Sequence, residues 1–277
     1  MQTAQRTEFP QYKQSDSPGI AKAVRDDGFA IIPGLLNQEQ IDELKAKIDE
    51  SVLTPREGDN GNGKDIDHLK CVFNREPYWL QFLDISGVIE AVEDLMGSDS
   101  HIIGMTAWRT PPGAGSFGMH VDQLFTPMDE ELLISGRVEL PVFISTLHFY
   151  LDNIDEDLCP TWIIPGSHKS GRGPGNDAGE VGKFQLGDQK VWNGIDAKPV
   201  LVNAGDGMLF RSEVWHSGSL NKTENKTRYL LQVHYSRRGI AQRFPPYIDF
   251  QYNKQVIAAA TERQLRLLGK HEMGAYG

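Results

Sequence analysis

The chain has 277 residues, of which 39% are hydrophobic, and a formal net charge of −10. This length suits one large domain, so we expect a single unit over 1–277. This negative net charge argues against nucleic acid or an anionic membrane as the main partner. Two cysteines, Cys71 and Cys159, cannot build a disulfide framework. Without a visible apolar leader or a run of membrane-spanning length, the sequence predicts a cytoplasmic protein.

The N-terminal part, about 1–100, is helical in character. A helix is predicted after Asn37, where a capping-box pattern precedes apolar residues at helical spacing. A second helix is predicted with Ser86 as its N-cap and Gly97 as its end. Between the two helices, the polar, glycine-rich segment 54–67 is expected to move.

From residue 101 onward the pattern changes to short apolar runs separated by Pro, Gly, Asn and Asp. The predicted strands lie within 101–110, 138–152, 160–166, 198–210 and 227–236. Regular short strands with turn signals predict a β-sandwich or barrel core over about 101–240. One long connection, 170–194, is a candidate lid, as is the segment 54–67. A C-terminal helix is predicted from about Lys254 to Leu268.

Three residues form a candidate metal site. His120 and Asp122 stand one residue apart in GMHVD, and His216 lies far downstream in VWHSGS. Because residues i and i+2 of a strand point to the same face, the first two side chains can bind one ion. Many proteins contain a histidine and an aspartate at this spacing by chance. Together with a distant second histidine, however, they form the ligand set of non-haem Fe(II) sites, which leaves coordination positions open.

The other histidines have simpler explanations. Those in polar or terminal contexts are expected to be solvated: His68, His101 and His271. His168 is expected to pack or hydrogen-bond within a turn. His148 and His234 differ from these, because both lie inside predicted strands.

The predicted strand 227–236 carries an unusual polar face. Its alternation places Arg228, Gln232 and His234 on one side. That face is too polar for an ordinary core, so it is either exposed or lines a site. Arg228 follows His216 by twelve residues and is suited to pair with a carboxylate, which favours the second alternative.

The chain resembles the phytanoyl-CoA dioxygenase-like family of Fe(II)/2-oxoglutarate oxygenases over about residues 20–236. The resemblance is carried by DDGFAIIPGLLNQEQIDEL, by RTPPG before MHVD, by LDNIDEDLCPTWIIPGSHKSG and by GDGMLFRSEVWHSGSLN. It implies a mainly β fold, a double-stranded β-helix or jelly roll of the cupin kind, with helices packed on one side. The cofactors it implies are Fe(II), 2-oxoglutarate as cosubstrate and O2.

The resemblance also implies roles for individual residues. His120, Asp122 and His216 would be the catalytic iron ligands, and Arg228 would bind the C5 carboxylate of 2-oxoglutarate. The other candidates for cosubstrate binding are Phe117, Ser217, Ser219 and Gln232. The chain departs from the family pattern in two places. Its arginine follows the distal histidine by twelve residues instead of eleven, and Gly218 stands where relatives often have serine.

The implied activity couples oxidative decarboxylation of 2-oxoglutarate to hydroxylation of a C–H bond, or to a related oxidation. Because halogenating relatives lack the carboxylate of Asp122, hydroxylation-type chemistry is expected. The substrate would be a small molecule, with natural products as the broad expectation. Two alternatives remain at this point, a cupin-like metalloenzyme that does not use 2-oxoglutarate and a non-catalytic binding protein with the same fold.

The sequence says little about the substrate, and it does not predict an oligomeric state. Arg109 either faces the pocket and pairs with an anion or lies in solvent at a strand edge. Several aromatic residues either form a wall of the pocket or belong to the core: Phe143, Phe149, Tyr150, Trp162 and Trp192.

Overall fold

The computed structural model describes residues 8–59, 65–115, 117–175 and 191–273. The strands are β1 Phe29–Ile32, β2 Asp67–Leu69, β3 His101–Thr110, β4 Ile144–Tyr150, β5 Thr161–Ile163, β6 Val191–Trp192, β7 Ile195–Asp196, β8 Lys198–Pro199, β9 Gly207–Arg211, β10 His216–Gly218 and β11 Arg228–Ser236. The α-helices are α1 Ser17–Asp26, α2 Gln38–Leu53, α3 Val88–Met96, α4 Glu130–Ile134, α5 Lys254–Ala259 and α6 Glu262–Leu267. Short 3-10 turns lie at Val72–Asn74, Pro77–Phe82, Ser167–Ser170 and Tyr247–Asp249.

Two antiparallel sheets enclose the functional cavity. The larger sheet has the strand order β1-β9-β4-β11-β3-β2, and the smaller has the order β10-β5-β8. Isolated bridges from Gly115 to Leu220 and from His120 to His216 extend the smaller sheet. Residues of both sheets line the same cavity, so the sheets face one another across it. The predicted jelly roll is confirmed.

The helices cover the outer face of the larger sheet. One apolar cluster joins buried residues of α1, α2, α3 and α6 to the alternate residues of β11 and β4, among them Leu231, Val233 and Phe149. These side chains are withdrawn from water almost completely. Burying a Val, Leu or Phe side chain stabilises the fold by roughly 1.5–3 kcal/mol. The polar side chains at the intervening positions of β11 are consequently directed to the opposite face, toward the cavity.

Several predicted boundaries need correction. Residues 254–268 do not form one helix, because Ala260 is extended and the Thr261 side chain caps a second helix by accepting from the Gln264 N–H. Gly87, and not Ser86, is the N-cap of α3. The predicted run 138–152 contains a shorter strand, and 198–210 is divided between β8 and β9 because a turn at 203–206 separates them.

The two candidate lids lie partly outside the described residues, which exclude 60–64 and 176–190. In the described part of the first segment, Asp59 accepts from the backbone N–H groups of Arg56 and Lys70 and forms a buried ion pair with Arg75. These contacts fix that end of the segment. Within the described ranges, no helix combines the length and the apolar character needed to cross a membrane.

Candidate metal and cosubstrate site

Two sheet connections bring the three candidate ligands together. The N–H of His120 donates to the carbonyl of His216 (2.8 Å), and the N–H of His216 donates back to His120 (2.9 Å). Such a reciprocal pair sets the two residues directly opposite one another. The N–H of Asp122 donates to the carbonyl of Ser212 at 2.9 Å, which holds the carboxylate beside both rings. The segment around His120 is therefore a bridge and a bend, not the regular strand that we expected.

The donor atoms of the three side chains converge. One ligand atom from each of His120, Asp122 and His216 lies within 4.8 Å of the others. Oδ1 of Asp122 is 3.8 Å from Nε2 of His120 and 3.6 Å from Nε2 of His216. Two imidazole nitrogens and one carboxylate oxygen at these separations fit a divalent iron ion.

Backbone carbonyls orient both imidazoles. Nδ1 of His120 lies 2.6 Å from the carbonyl oxygen of Gly118, and Nδ1 of His216 lies 3.0 Å from that of Val214. A carbonyl only accepts, so each Nδ1 carries the proton and each Nε2 keeps a lone pair for a metal. The local turns before each histidine supply these carbonyls, which explains why the tautomers are fixed by the backbone alone.

Electrostatics at the three ligands favour cation binding. Burial and the neighbouring His216 lower the pKa of His120 to about 4, so this ring is neutral at pH 7. Burial opposes ionisation of Asp122, but the two imidazoles outweigh it and hold the pKa of this carboxyl well below its usual range. Burial likewise opposes protonation of His216, yet the Asp122 carboxylate raises the pKa of this imidazole above its usual value. The carboxylate thus stays ionised, as a ligand must.

A cavity of about 370 Å³ begins at the three ligands and runs between the two sheets. The sheet register explains its lining, because alternate residues of β3 stand opposite alternate residues of β11. Thr110 pairs with Arg228, Trp108 with Leu230, and Thr106 with Gln232. All of these residues line the cavity. The polar face predicted for 227–236 therefore lines a site.

Arg228 supplies the cavity with a buried positive charge. Arg228 is only 7% exposed, and its Nε has no hydrogen-bond partner. No described residue offers it a carboxylate. Its guanidinium carbon lies 5.7 Å from the centre of the Tyr150 ring. A buried cation without an anionic partner fits a ligand that brings its own carboxylate.

The turn before Arg228 is organised by Asn221. This residue is fully buried, and its amide donates to the carbonyls of Thr110 (3.0 Å) and Lys226 (2.8 Å). Its side-chain oxygen accepts from the N–H and the hydroxyl of Thr223. These bonds close the turn and deliver Arg228 to the start of β11. Asn221 thus acts as a turn former, and the twelve-residue spacing between His216 and Arg228 is accommodated within this turn.

The remaining predicted cosubstrate residues do not all reach the cavity. Phe117, Ser217 and Gln232 line it. Ser219 is not among the lining residues; its hydroxyl donates to the carbonyl of Pro160 at 2.7 Å. Ser219 therefore holds the small sheet to the segment before β5.

Arg109 matches neither of its two expected positions. It lies on the opposite face of β3 from the cavity, where it forms ion pairs with Asp49 (2.9 Å) and Asp67 (2.7 Å). Its register partner across the sheet is Tyr229, whose hydroxyl also donates to Asp49. Arg109 thus ties α2 and β2 to the back of the sheet and does not meet a substrate.

Of the two alternatives for the five aromatic residues, the structure does not support a wall of the cavity. Among the described residues, the aromatic rings at the cavity belong to Trp108, Phe117 and Phe210. The five aromatic residues proposed from the sequence lie elsewhere. Phe149, for example, packs in the apolar cluster under the helices, and Trp192 donates its indole N–H to Glu130 at 2.6 Å.

Several histidines behave differently from expectation. His68 is not solvated: it stacks on Trp108 with ring centres 3.5 Å apart and lines the cavity, and burial lowers its pKa to about 3. His101 is buried beside His271, with 2.8 Å between Nδ1 and Nε2. His168 lies in a turn and hydrogen-bonds, as expected, but its partner is distant: Nε2 lies 2.9 Å from the carbonyl oxygen of Arg25 in α1.

His234 lines the cavity with the rest of the polar face, whereas Trp108, His148 and Thr161 were not assigned to the site from the sequence. The signal available in the sequence was the two-residue alternation of strand side chains. In 101–110 this alternation places Trp108 on the face that meets the cavity, as it does for Arg228 and Gln232 in 227–236. His148 and His234 could be noticed as polar residues within strands. Nothing in the sequence indicated Thr161, because its place depends on the pairing of β5 with β10.

Known proteins resemble the chain in both sequence and fold. The family model described as phytanoyl-CoA dioxygenase (PhyH) matches residues 24–229. A multifunctional dioxygenase, PrhA from Penicillium brasilianum, is 22% identical over 84% of this chain and 75% of its own length.

Solved structures of similar fold include the non-haem α-ketoglutarate-dependent carbocyclase SnoK from nogalamycin biosynthesis. It has a TM-score of 0.62 at 18% identity and covers 83% of this chain and 88% of its own. HygX from Streptomyces hygroscopicus, solved with nickel and 2-oxoglutarate bound, has a TM-score of 0.60 at 13% identity. The match covers 85% of this chain and 95% of HygX. At these identities the structures support the fold.

The family model spans well over half of the chain and includes the three candidate ligands and Arg228. This match favours the oxygenase interpretation over a cupin-like enzyme without 2-oxoglutarate and over a binding protein. The chain therefore belongs to the phytanoyl-CoA dioxygenase family and is an Fe(II)- and 2-oxoglutarate-dependent dioxygenase.

Proposed function

We propose that His120, Asp122 and His216 bind the Fe(II) ion and that Arg228 binds the distal carboxylate of 2-oxoglutarate. The observation that carries this assignment is the cavity itself. Three converging ligand atoms lie in its wall, and a buried guanidinium without an anionic partner lies in the same wall. A dicarboxylate that chelates the ion at one end would neutralise Arg228 at the other.

The residues of the chain prepare this arrangement before any ligand binds. In the neutral rings, the carbonyls of Gly118 and Val214 hold the proton on Nδ1 and leave Nε2 for a metal, and Asp122 remains ionised. When bound, the iron and its cosubstrate supply the oxidising chemistry that breaks the substrate C–H bond. The protein contributes fixed ligand positions, a paired charge at Arg228 and walls that limit the access of water.

We further propose that the substrate is a small organic molecule whose reacting end is uncharged. In the described part of the lining, the charged side chains are Asp122 and Arg228, and both have the roles given above. The remaining polar groups are hydroxyls, imidazoles, the thiol of Cys159 and one amide, beside three aromatic rings. The resemblance to SnoN, solved with nogalamycin RO, and to HygX, solved with hygromycin B, supports a natural product as substrate.

We also propose that 1–277 forms one oxygenase domain. The support is the main apolar cluster, which contains residues from Ile20 near one end of the chain to Leu268 near the other. Helical and β segments contribute to it together, so the helical part has no separate core within the described residues.

An anaerobic titration tests the proposed roles. Fe(II)-loaded protein is titrated with 2-oxoglutarate while the visible metal-to-ligand charge-transfer band is recorded. We expect the band in the wild type, its loss in His216→Ala, and a much weaker titration in Arg228→Ala. Iron binding without a band would contradict the cosubstrate assignment. Candidate metabolites are then screened for stimulated succinate release, which identifies the substrate.

A further inference from the structure

The PGSHK segment, residues 165–169, carried part of the family resemblance but has no role in the site described above. The structure describes all five of its residues, and none of them lines the cavity. The segment follows β5 and enters the short turn Ser167–Ser170. Ser167 and His168 are both buried, so their side chains contact the interior of the protein. What they contact is the stretch of chain that leads into His216.

Both backbone polar groups of Trp215 are bound by this segment. The N–H of Trp215 donates to Oγ of Ser167 at 2.8 Å, and the carbonyl of Trp215 accepts from the N–H of Ile164 at 3.0 Å. The Ser167 hydroxyl donates in turn to the carbonyl of Ile164 at 2.7 Å. The three residues thus form a closed ring of hydrogen bonds, and all three are fully buried. This ring fixes the residue immediately before His216.

We propose that Ser167 is a positioning residue for His216, because its hydroxyl holds the backbone from which that imidazole extends. This inference rests on the metal site proposed above and adds to it a residue outside the cavity. Without the Ser167 oxygen, the buried N–H of Trp215 would lose its acceptor. An unsatisfied buried donor is unfavourable, so the peptide would shift toward another acceptor and move His216 with it.

The orientation of the His216 ring depends on the same part of the chain. The carbonyl oxygen of Val214 lies 3.0 Å from Nδ1 of His216. The side chain of Val214 packs against Gly28, where a Cβ atom would lie 2.8 Å from Cγ2 of Val214 and 3.0 Å from Nδ1 of His168. Gly28 also has a φ of +93°, which favours glycine. Only a residue without a side chain allows this close approach behind Val214.

The end of α1 anchors the PGSHK segment. The N–H of Gly166 donates to the carbonyl of Asp27 at 2.7 Å, and Nε2 of His168 donates to the carbonyl of Arg25 at 2.9 Å. Three segments that carried the resemblance, DDGF, PGSHK and VWHS, therefore meet in one buried joint. Contacts behind a metal ligand fix the orientation of that ligand, and this joint supplies such contacts to His216.

Calorimetric titration with Ni(II) tests this proposal without requiring turnover. We compare the wild type with Ser167→Ala, which removes the acceptor of the Trp215 N–H. Asn74→Ala is the matched control, because Oδ1 of Asn74 accepts from the N–H of Asn253 at 2.7 Å and Asn74 does not line the cavity. We expect Ser167→Ala to weaken Ni(II) binding about tenfold, a typical loss when a contact behind a ligand is removed. Asn74→Ala should bind Ni(II) as the wild type does, although it also deprives a backbone donor of its acceptor.

The visible spectrum of the Co(II)-loaded protein provides a second measurement, which a loss of stability alone does not change. Its ligand-field bands report the arrangement of the ligands around the ion. Each variant is recorded well below its own melting temperature. We expect the bands to shift in Ser167→Ala and to remain at their wild-type positions in Asn74→Ala.

Two results would overturn the assignment of Ser167. One is wild-type Ni(II) affinity with an unchanged Co(II) spectrum in Ser167→Ala, since the hydroxyl would then serve only the stability of the fold. The other is an equal loss of Ni(II) affinity in Asn74→Ala. If Ser167→Ala does not fold, Ser167→Cys keeps a weak acceptor and provides the same comparison, with a smaller expected loss. If the wild type itself binds no Ni(II), the proposed metal site is wrong, and that outcome is distinct from a failure of the Ser167 assignment.

Discussion

Replacing Arg228 with methionine is expected to stabilise the metal-free protein while it abolishes 2-oxoglutarate binding. Methionine retains an apolar stem for packing and removes the guanidinium. The buried Nε of Arg228 lacks a partner, and an unsatisfied buried donor costs about 1–3 kcal/mol. The contact with the Tyr150 ring offsets roughly 0.5–1 kcal/mol of this. The free energy of unfolding should therefore rise by about 1 kcal/mol, within a range of roughly 0–2.5 kcal/mol.

Denaturant unfolding of the metal-free protein measures the change directly. In a second series, Ni(II)-loaded protein is unfolded with 2-oxoglutarate present at about 100 times the Kd of 2-oxoglutarate. The cosubstrate should stabilise the wild type by roughly 2.7 kcal/mol relative to the metal-loaded protein alone. The variant should gain nothing from the same addition of 2-oxoglutarate. With metal and cosubstrate present, the order of stabilities is thus expected to reverse.

Arg211→Met is the matched control. Arg211 is similarly buried, but it pairs with Glu213 at 3.0 Å and donates to the carbonyl of Leu140. Its removal leaves a buried carboxylate without its partner, which should destabilise the protein by about 3–5 kcal/mol. If Arg228→Met lowers the stability of the metal-free protein in the same way, then Arg228 is already satisfied without an anion, and the reasoning fails.

Three further predictions concern pH, metal affinity and the turn before β11. The ion pair of Asp122 and His216 should stabilise the metal-free protein most between about pH 4 and 6.5, the ordinary pKa values of the two groups. The pair raises the pKa of His216 and lowers that of Asp122, so the melting temperature should fall as the pH rises through the raised pKa of His216. Asp122→Asn should remove this fall in melting temperature. Metal affinity should weaken on acidification, because the ion must displace the His216 proton. Calorimetry in two buffers measures the protons exchanged on Ni(II) binding, and a proton uptake would contradict this prediction. Asn221→Ala should lower the free energy of unfolding by about 1–3 kcal/mol in denaturant titrations, and it should also weaken 2-oxoglutarate binding. An unchanged affinity for 2-oxoglutarate would show that the position of Arg228 does not depend on this turn.

The sequence predicts those parts of the site that depend on local properties. The ligand types of His120, Asp122 and His216 can be read directly, and the two-residue period of 227–236 assigns Arg228 and Gln232 to one face. The jelly roll and its outer helices follow from the pattern of strands and from the family resemblance. The ligand types and the polar face require only residue chemistry and periodicity. The jelly roll, as distinct from another sandwich or barrel, is what the resemblance implies.

The errors concern residues whose partners are distant in sequence. Arg109 is neutralised by Asp49 and Asp67, which reach it through α2 and β2. His68 is buried against Trp108 because β2 pairs with the edge of the large sheet. Sequence patterns do not contain the register between strands, and register decides which polar residues meet one another.

The register between the strands also explains why one end of the cavity differs from the rest. On the cavity face of the large sheet, polar residues largely satisfy one another: Thr146 and Thr106 contact the two nitrogens of His234 at 3.0 and 3.3 Å, and Gln232 is held on both sides of its amide. Such a network leaves little freedom for reorganisation when a ligand binds. Arg228 differs, because its buried Nε is a donor that no described residue accepts. A ligand with an anionic group is therefore drawn to Arg228, which orients the other end of the ligand toward the metal ligands.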